Sequence, residues 1–180
     1  MTSIFIALTP GKELNDKIVT IKRDLKNMTL KDHVISWQNN NSHHITLNFI
    51  GEMEPEQIEE LYKNLALITT SKSKISLEIT SISLFPNDSG QVLVANINPS
   101  HLVKKIHAQI EEAINKIGFE TGLKVFHPHI TLGRFKNKER SSVELPLIMP
   151  IKSQVTFIDI YESNFESGKT TYNLLNSFEY

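Results

Sequence analysis

Hydrophobic positions recur along this chain with two periods, and the switches between them lay out a fold. Ser3 to Thr9 is an apolar run stopped by Pro10-Gly11 and reads as a buried strand. Leu14, Ile18, Ile21, Leu25 and Met28 follow at helical spacing, predicting an amphipathic helix over residues 12–27. Val34 to Trp37 is a short strand, and Asn39 to Ser42 a polar turn. His44 to Ile50 alternates, with Ile45, Leu47 and Phe49 on one side and His44, Thr46 and Asn48 on the other. It predicts a half-buried strand ending at Gly51.

Pro55 opens a second helix with Ile58, Leu61, Leu65 and Ile68 inward. Lys74 to Leu84 alternates as a long strand through Ile75, Leu77, Ile79 and Ile82. The turn residues 87–90 join it to a neighbour, Gln91 to Ile97. Asn98 and Pro99 suit the start of a third helix, which runs through Leu102, Ile106, Ile110, Ala113 and Ile117 until Gly118. Lys124 to Phe135 reads as a strand, and Val155 to Tyr161 and Tyr172 to Phe178 as closing strands around Ser167-Gly168-Lys169. The order β-α-β-β-α-β-β-α-β-β-β predicts an α+β chain of mostly antiparallel sheet with flanking helices. No linker divides residues 1–180, so one domain of two pseudo-symmetric lobes, built on two mostly antiparallel sheets, is expected.

The tetrapeptide His-Ile-Thr-Leu occurs twice, at 44–47 and 129–132, close to half a chain apart. On a strand, side chains i and i+2 share a face, so each copy would present a histidine beside a threonine. Imidazole titrates near pH 6.5, so one copy can be neutral while the other is protonated, as paired general base and general acid catalysis requires. Thr46 and Thr131 are hydroxyl donors suited to phosphate oxygens, although their β-branching alone would also explain a strand position. Strict alternation turns Arg134 away from Thr131, unless a bend at Gly133 brings it back.

The other histidines leave alternatives open. His43 and His127, added to the motif pair, would make a four-histidine zinc site. By alternation, however, His43 points opposite to His44, and His107 lies on a helix flank as a structural residue.

Composition narrows the field. The chain has 180 residues, 39% hydrophobic and 22% charged, with a net charge of −1, so no global basic field exists to hold long nucleic acid. Residues 121–140 are locally basic, with Lys124, Arg134, Lys136, Lys138 and Arg140 against Glu139 alone. Absence of cysteine excludes a disulfide framework and a thiolate nucleophile. The short apolar start lacks a basic leader, and no apolar run approaches the roughly 20 residues that span a bilayer. A cytoplasmic protein is expected.

The wider context of the two motifs resembles the two-histidine (2H) phosphoesterase superfamily. It is most similar to the RNA 2′,3′-cyclic phosphodiesterase branch, the LigT/ThpR-like enzymes once described as 2′-5′ RNA ligases. The matching segments are Ile4-Phe5-Ile6-Ala7-Leu8, Trp37 followed by His44 to Glu52, Phe85-Pro86 before Val92-Leu93, Phe126 to Arg134, and Ser163 with Gly168 and Tyr172. The resemblance implies a bilobal fold with both motifs lining a central cleft. It implies metal-free hydrolysis of RNA 2′,3′-cyclic phosphate ends to 2′-phosphates; no cofactor and a monomer are expected.

By motif position His129 would be the general base and His44 the general acid, with Thr46, Thr131 and Arg134 binding phosphate. Two alternatives remain: a 2′-5′ RNA ligase or 2′-5′ oligonucleotide phosphodiesterase built on the same residues, and a nucleotide- or RNA-end-binding module without catalysis. His43 departs from the family pattern, which usually has an apolar residue there. The near-neutral overall charge favours an RNA end over a long duplex track.

Overall fold

The computed structural model describes residues 2–69, 74–120, 125–137, 143–166 and 169–180. Its elements run β1 (Thr2–Leu8), α1 (Lys12–Asp24), β2 (Ile35–Trp37), β3 (Ile45–Met53), α2 (Pro55–Ile68), β4 (Ile75–Phe85) and β5 (Val92–Pro99). They continue with α3 (His101–Lys116), β6 (His129–Phe135), β7 (Ile151–Val155), β8 (Phe157–Glu166) and β9 (Lys169–Glu179). This is a single α+β domain. All strands pair antiparallel in the order β7-β4-β5-β6-β3-β1-β8-β9, with β2 added on β6. Among the described residues no helix is long and apolar enough to cross a membrane.

The two expected sheets are joined into one by a single residue pair, Ile45 with Ile130. Beyond it the strands part. β3 continues against β1, while the edge of β6 that β3 leaves is taken over by β2 through Trp37–Gly133 and Ile35–Phe135. Each half-sheet therefore has four main strands, and the motif strands β3 and β6 meet at the seam. The helices cover one face of both halves. Their buried residues, including Leu14, Ile18, Leu61, Leu65, Val103, Ile106 and Ile110, form one apolar cluster with Ile6, Leu8, Ile45, Leu93, Ala95, Ile130 and Ile158. Phe5, Ala7 and Val94 are buried too, but on the opposite face of their strands, outside that cluster.

Helix boundaries follow local chemistry. α2 begins at Pro55, and the Gln57 side chain accepts from the Glu54 backbone N–H at 2.8 Å, tying down the first turn. The third helix starts two residues later than its Asn-Pro signal. β5 keeps Pro99 as its last residue, and the Ser100 hydroxyl accepts from the Val103 N–H at 3.3 Å as the cap. α3 ends in a left-handed Gly118 (φ +88°), with bonds from the Gly118 N–H to the Asn115 carbonyl and from the Phe119 N–H to the Ile114 carbonyl.

Three readings are corrected. The first helix widens into a π-type turn over Leu25–Thr29, closed by the Leu30 N–H on the Leu25 carbonyl at 2.7 Å. The extra residue shifts the helical phase, so Met28 is exposed and Leu30 takes the core place. β3 does not stop at Gly51; a positive φ of 100° there carries the strand through a bulge to Met53. β7 is absent from the sequence reading because its inner face offers only Ile151, Ser153 and Val155, too short and polar an alternation to register. The turn residues Ser167 and Gly168 lie outside the described residues, as do Lys124, Lys138, Glu139 and Arg140 of the basic stretch.

Ile106 of α3 is fully buried within the apolar cluster. Ile106→Ala is expected to destabilise the domain by about 2–5 kcal/mol in urea denaturation. A loss under about 1 kcal/mol would mean that α3 is not a principal support of the sheet.

Candidate active site

At the seam the Ile45–Ile130 pair turns both isoleucines toward the helices. The residues on either side face the other way. Continuing that antiparallel register, His44 lies across from Thr131 and Thr46 across from His129. The two copies of His-x-Thr thus interleave about a local two-fold axis through the isoleucine pair. Outer neighbours agree on the face: Thr46 pairs with Ala7, Thr131 with Val94 and His129 with Asn96. The site builds on the sheet face away from the helices.

Both motif strands carry a bulge at the same place. In β3, Thr46 pairs with Ala7 and Asn48 with Ile6, leaving Leu47 as the extra residue. In β6, Thr131 pairs with Val94 and Gly133 with Leu93, leaving Leu132 extra. A bulge resets the alternation that follows it. Asn48, expected beside Thr46, is instead buried, its side-chain oxygen 3.3 Å from His107 Nδ1, and Phe49 is turned out with 62% exposure. In β6 the same reset puts Arg134 opposite Val92, on the face of Val94 and therefore of Thr131. Glycine suits position 133 because β2 crosses close by: a Cβ there would meet Ile35 Cγ2 at 2.8 Å and the Ser36 carbonyl at 3.1 Å.

The two imidazoles are held by the same device. His44 Nδ1 lies 2.9 Å from the Ser42 carbonyl and His129 Nδ1 lies 2.8 Å from the His127 carbonyl. A carbonyl only accepts, so each Nδ1 carries the proton and each Nε2 is left to exchange one with a ligand.

The surroundings differ. His44 packs against Phe5 at 5.0 Å between ring centres and meets Tyr172 edge-on at 5.0 Å. His129 stacks on Phe85 at 4.6 Å. Burial lowers the His44 pKa; the Ser42 carbonyl opposes this, and the nearby charge of His129 adds to it. Tyr172 is pushed up by burial and drawn back by the charge of Arg134, which brings the arginine into the field of the ring that touches His44.

Sequence reasoning missed the ring support. Phe5 looked like core because its strand is apolar throughout, yet it faces the site and also stacks on Tyr161 at 5.2 Å. The Tyr161 hydroxyl shares a 2.7 Å hydrogen bond with Thr9 and reaches the buried carboxylate of Asp159, which accepts from the Ser177 hydroxyl at 2.5 Å. On the other side the Asn96 amide donates to Ser81 and Ser83 at 3.0 and 2.9 Å, fixing the strand beside His129. His107 is structural: it lies flat on Phe126 at 4.1 Å.

His43 faces α1, bonded to Asn15 and Lys22, so it does not join the motif pair as a fourth ligand. Among the described residues no three His, Asp or Glu side chains converge as a metal site would need.

One sheet face thus gathers two tautomer-fixed imidazoles, two threonines and an arginine, a set suited to phosphate chemistry. The profile of the 2′-5′ RNA ligase superfamily matches residues 36–162, and the chain belongs to that family of enzymes. Curated relatives include the RNA 2′,3′-cyclic phosphodiesterase of Archaeoglobus fulgidus, 28% identical over 75% of this chain and 73% of that one. The enzyme of the same name from Methanocaldococcus jannaschii is 24% identical over 97% and 99%. In fold the chain is similar to TT0787 of Thermus thermophilus (TM-score 0.84, 17% identity, covering 98% and 97%). It is also similar to E. coli LigT complexed with 3′-AMP (TM-score 0.77, 20% identity, covering 99% and 97%).

Burial, then the charges of Lys22 and His44, lower the His43 pKa to about 4. The native ring is held neutral while the unfolded ring titrates near 6.5, so the unfolded chain takes up the proton first. Stability is therefore full above about pH 6.5 and falls by up to about 3 kcal/mol as pH drops toward 4. Urea denaturation at pH 7 and pH 4.5 checks this, and in His43→Gln that difference should shrink.

Proposed function

We propose that the protein hydrolyses the 2′,3′-cyclic phosphate at RNA 3′ ends to a 2′-phosphate, without a metal. The observation that carries this reading is the interleaved pair of imidazoles. Both have Nδ1 tied to a carbonyl, and the register of the Ile45–Ile130 pair sets each imidazole across from the other copy's threonine. One Nε2 accepts a proton from water as the water oxygen attacks phosphorus. The other gives a proton to the 3′ oxygen as its bond to phosphorus breaks, leaving a 3′-hydroxyl and a 2′-phosphate. His129 is assigned as the base and His44 as the acid, following the motif positions of the family. Thr46 and Thr131 donate to the non-bridging oxygens, and Arg134 balances the charge that grows on them.

The depressed pKa of His44 bears on this assignment. An acid must be protonated, and burial works against that in the free protein. A phosphate anion between the rings reverses the balance, because it favours the imidazolium and screens His44 from His129. Substrate binding thereby primes the donor. Phe49, exposed on the same face of β3, offers a ring for the terminal base to stack on. The activity for which the relatives are named and the net charge of −1, which does not suit a long duplex track, support an RNA end as the substrate.

The test is an oligonucleotide ending in a 2′,3′-cyclic phosphate, incubated in EDTA with product identification. A 2′-phosphate product is expected, with a bell-shaped pH–rate curve. His44→Ala and His129→Ala should each lose about a hundredfold or more in kcat while remaining folded, and Thr46→Ala and Thr131→Ala about tenfold to a thousandfold. The His44 titration midpoint, read by NMR, should rise when a nucleoside 2′-phosphate is added. Full activity in either histidine variant, or activity lost in EDTA and restored by zinc, would overturn the reading.

A further inference from the structure

α1 brings an unusual group to the back of the site. Lys22 lies one helical turn beyond Ile18, on the stripe that faces the core, and is only 6% exposed. The ion pairs among the described residues do not include it. Its ammonium instead donates to three neutral acceptors: the Gln38 carbonyl, the Asn40 side-chain oxygen at 2.8 Å and His43 Nε2 at 3.0 Å. Three N–H donors meet three acceptors, so the ammonium is satisfied without a counter-ion. Desolvation still lowers its pKa to about 8. Because an ammonium only donates, His43 Nε2 must accept, and its Nδ1–H then donates to Asn15 Oδ1 at 2.6 Å. The ring is thus pinned between two residues of α1.

These contacts all fall on the segment 38–43, which leads into the first motif. Gln38 is its hub. Its backbone N–H donates to the carbonyl of Leu132, the bulged residue of the second motif, at 2.9 Å, and its side-chain amide donates to the Ser42 carbonyl at 3.3 Å. That same Ser42 carbonyl accepts from His44 Nδ1. A continuous path runs from α1 through Lys22, Gln38 and Ser42 to the ring of His44. The counterpart for His129 is simpler: the Ile97 N–H holds the Pro128 carbonyl at 3.0 Å, next to the His127 carbonyl that His129 uses.

We propose that Lys22, His43 and Gln38 form a positioning clamp for His44, fixing its Nδ1–H tautomer through the Ser42 carbonyl and aiming Nε2 at the bound phosphate. At position 43 the imidazole supplies an acceptor for the buried cation that an apolar side chain would not. The consequence for turnover rests on the reading of His44 as a proton-transfer residue; the consequence for its tautomer does not.

The experiment uses the intact chain and the variants Lys22→Met, His43→Leu and His43→Gln, the last retaining a side-chain oxygen to accept from Lys22. Nitrogen-15 spectra of the histidine rings report each tautomer without substrate, and steady-state kinetics report turnover of a nucleoside 2′,3′-cyclic phosphate. In Lys22→Met and His43→Leu the His44 ring should become a mixture of tautomers while His129 keeps its own. The kcat should fall by about tenfold or more, with KM within about twofold. His43→Gln should stay within about threefold of the parent kcat. Should Lys22→Met not fold, His43→Leu carries the test alone. An unchanged His44 tautomer in a folded Lys22→Met or His43→Leu overturns the clamp. A scrambled tautomer with unchanged kcat upholds the clamp and counts instead against His44 as the proton-transfer group.

Discussion

The site depends on one residue pair. Among the described residues, Ile45 and Ile130 are the only positions at which β3 and β6 pair, and they join two four-stranded half-sheets into one. Because both isoleucines turn into the helix-packed core, the histidine and threonine flanking each must turn out, toward the same face. The burial of two apolar side chains therefore sets the position of four chemical ones. Were the pairing to slip by one residue, one motif would turn over against the other, its imidazole into the core and its isoleucine onto the site face.

Two bulges then adapt this symmetric frame to an asymmetric job. Each follows the threonine of its motif, and each resets the alternation, so the residue five beyond each histidine returns to the site face. In β6 that residue is Arg134, and in β3 it is Phe49. One half thus presents a cation suited to phosphate and the other an exposed ring suited to a base. The shared bulges extend the repeat beyond the tetrapeptide, into backbone geometry that residue identities conceal. The histidines diverge in the same manner. His44 is enclosed by Phe5 and Tyr172, whereas His129 rests on Phe85.

Much of this was legible from residue order. The strands and helices follow the hydrophobic periods, and the repeated His-x-Thr, read with period two, singled out four residues that the seam turns to one face. What escaped has identifiable causes. Arg134 looked misdirected because a bulge is a property of register against a neighbour strand, which alternation within one strand cannot reveal. The same blindness put Asn48 on the wrong face and Phe49 in the core. Phe5 and Tyr161 support His44 from strands β1 and β8, whose adjacency to β3 is a matter of topology. Lys22 sat in plain view on the apolar stripe of α1, four residues after Ile18. Its meaning emerged only once residues 38–43 were seen folded over it.

The central claim is that the seam brings His44, Thr46, His129, Thr131 and Arg134 to bear on one phosphorus atom. The most direct measurement is a crystal structure with a nucleoside 2′,3′-cyclic vanadate, whose five-coordinate vanadium stands in for phosphorus in the transition state. The account predicts vanadium between the two Nε2 atoms, with the threonine hydroxyls on its non-bridging oxygens and the Arg134 guanidinium beside them. Vanadium bound by one motif alone, or an imidazole meeting it through Nδ1, would contradict it.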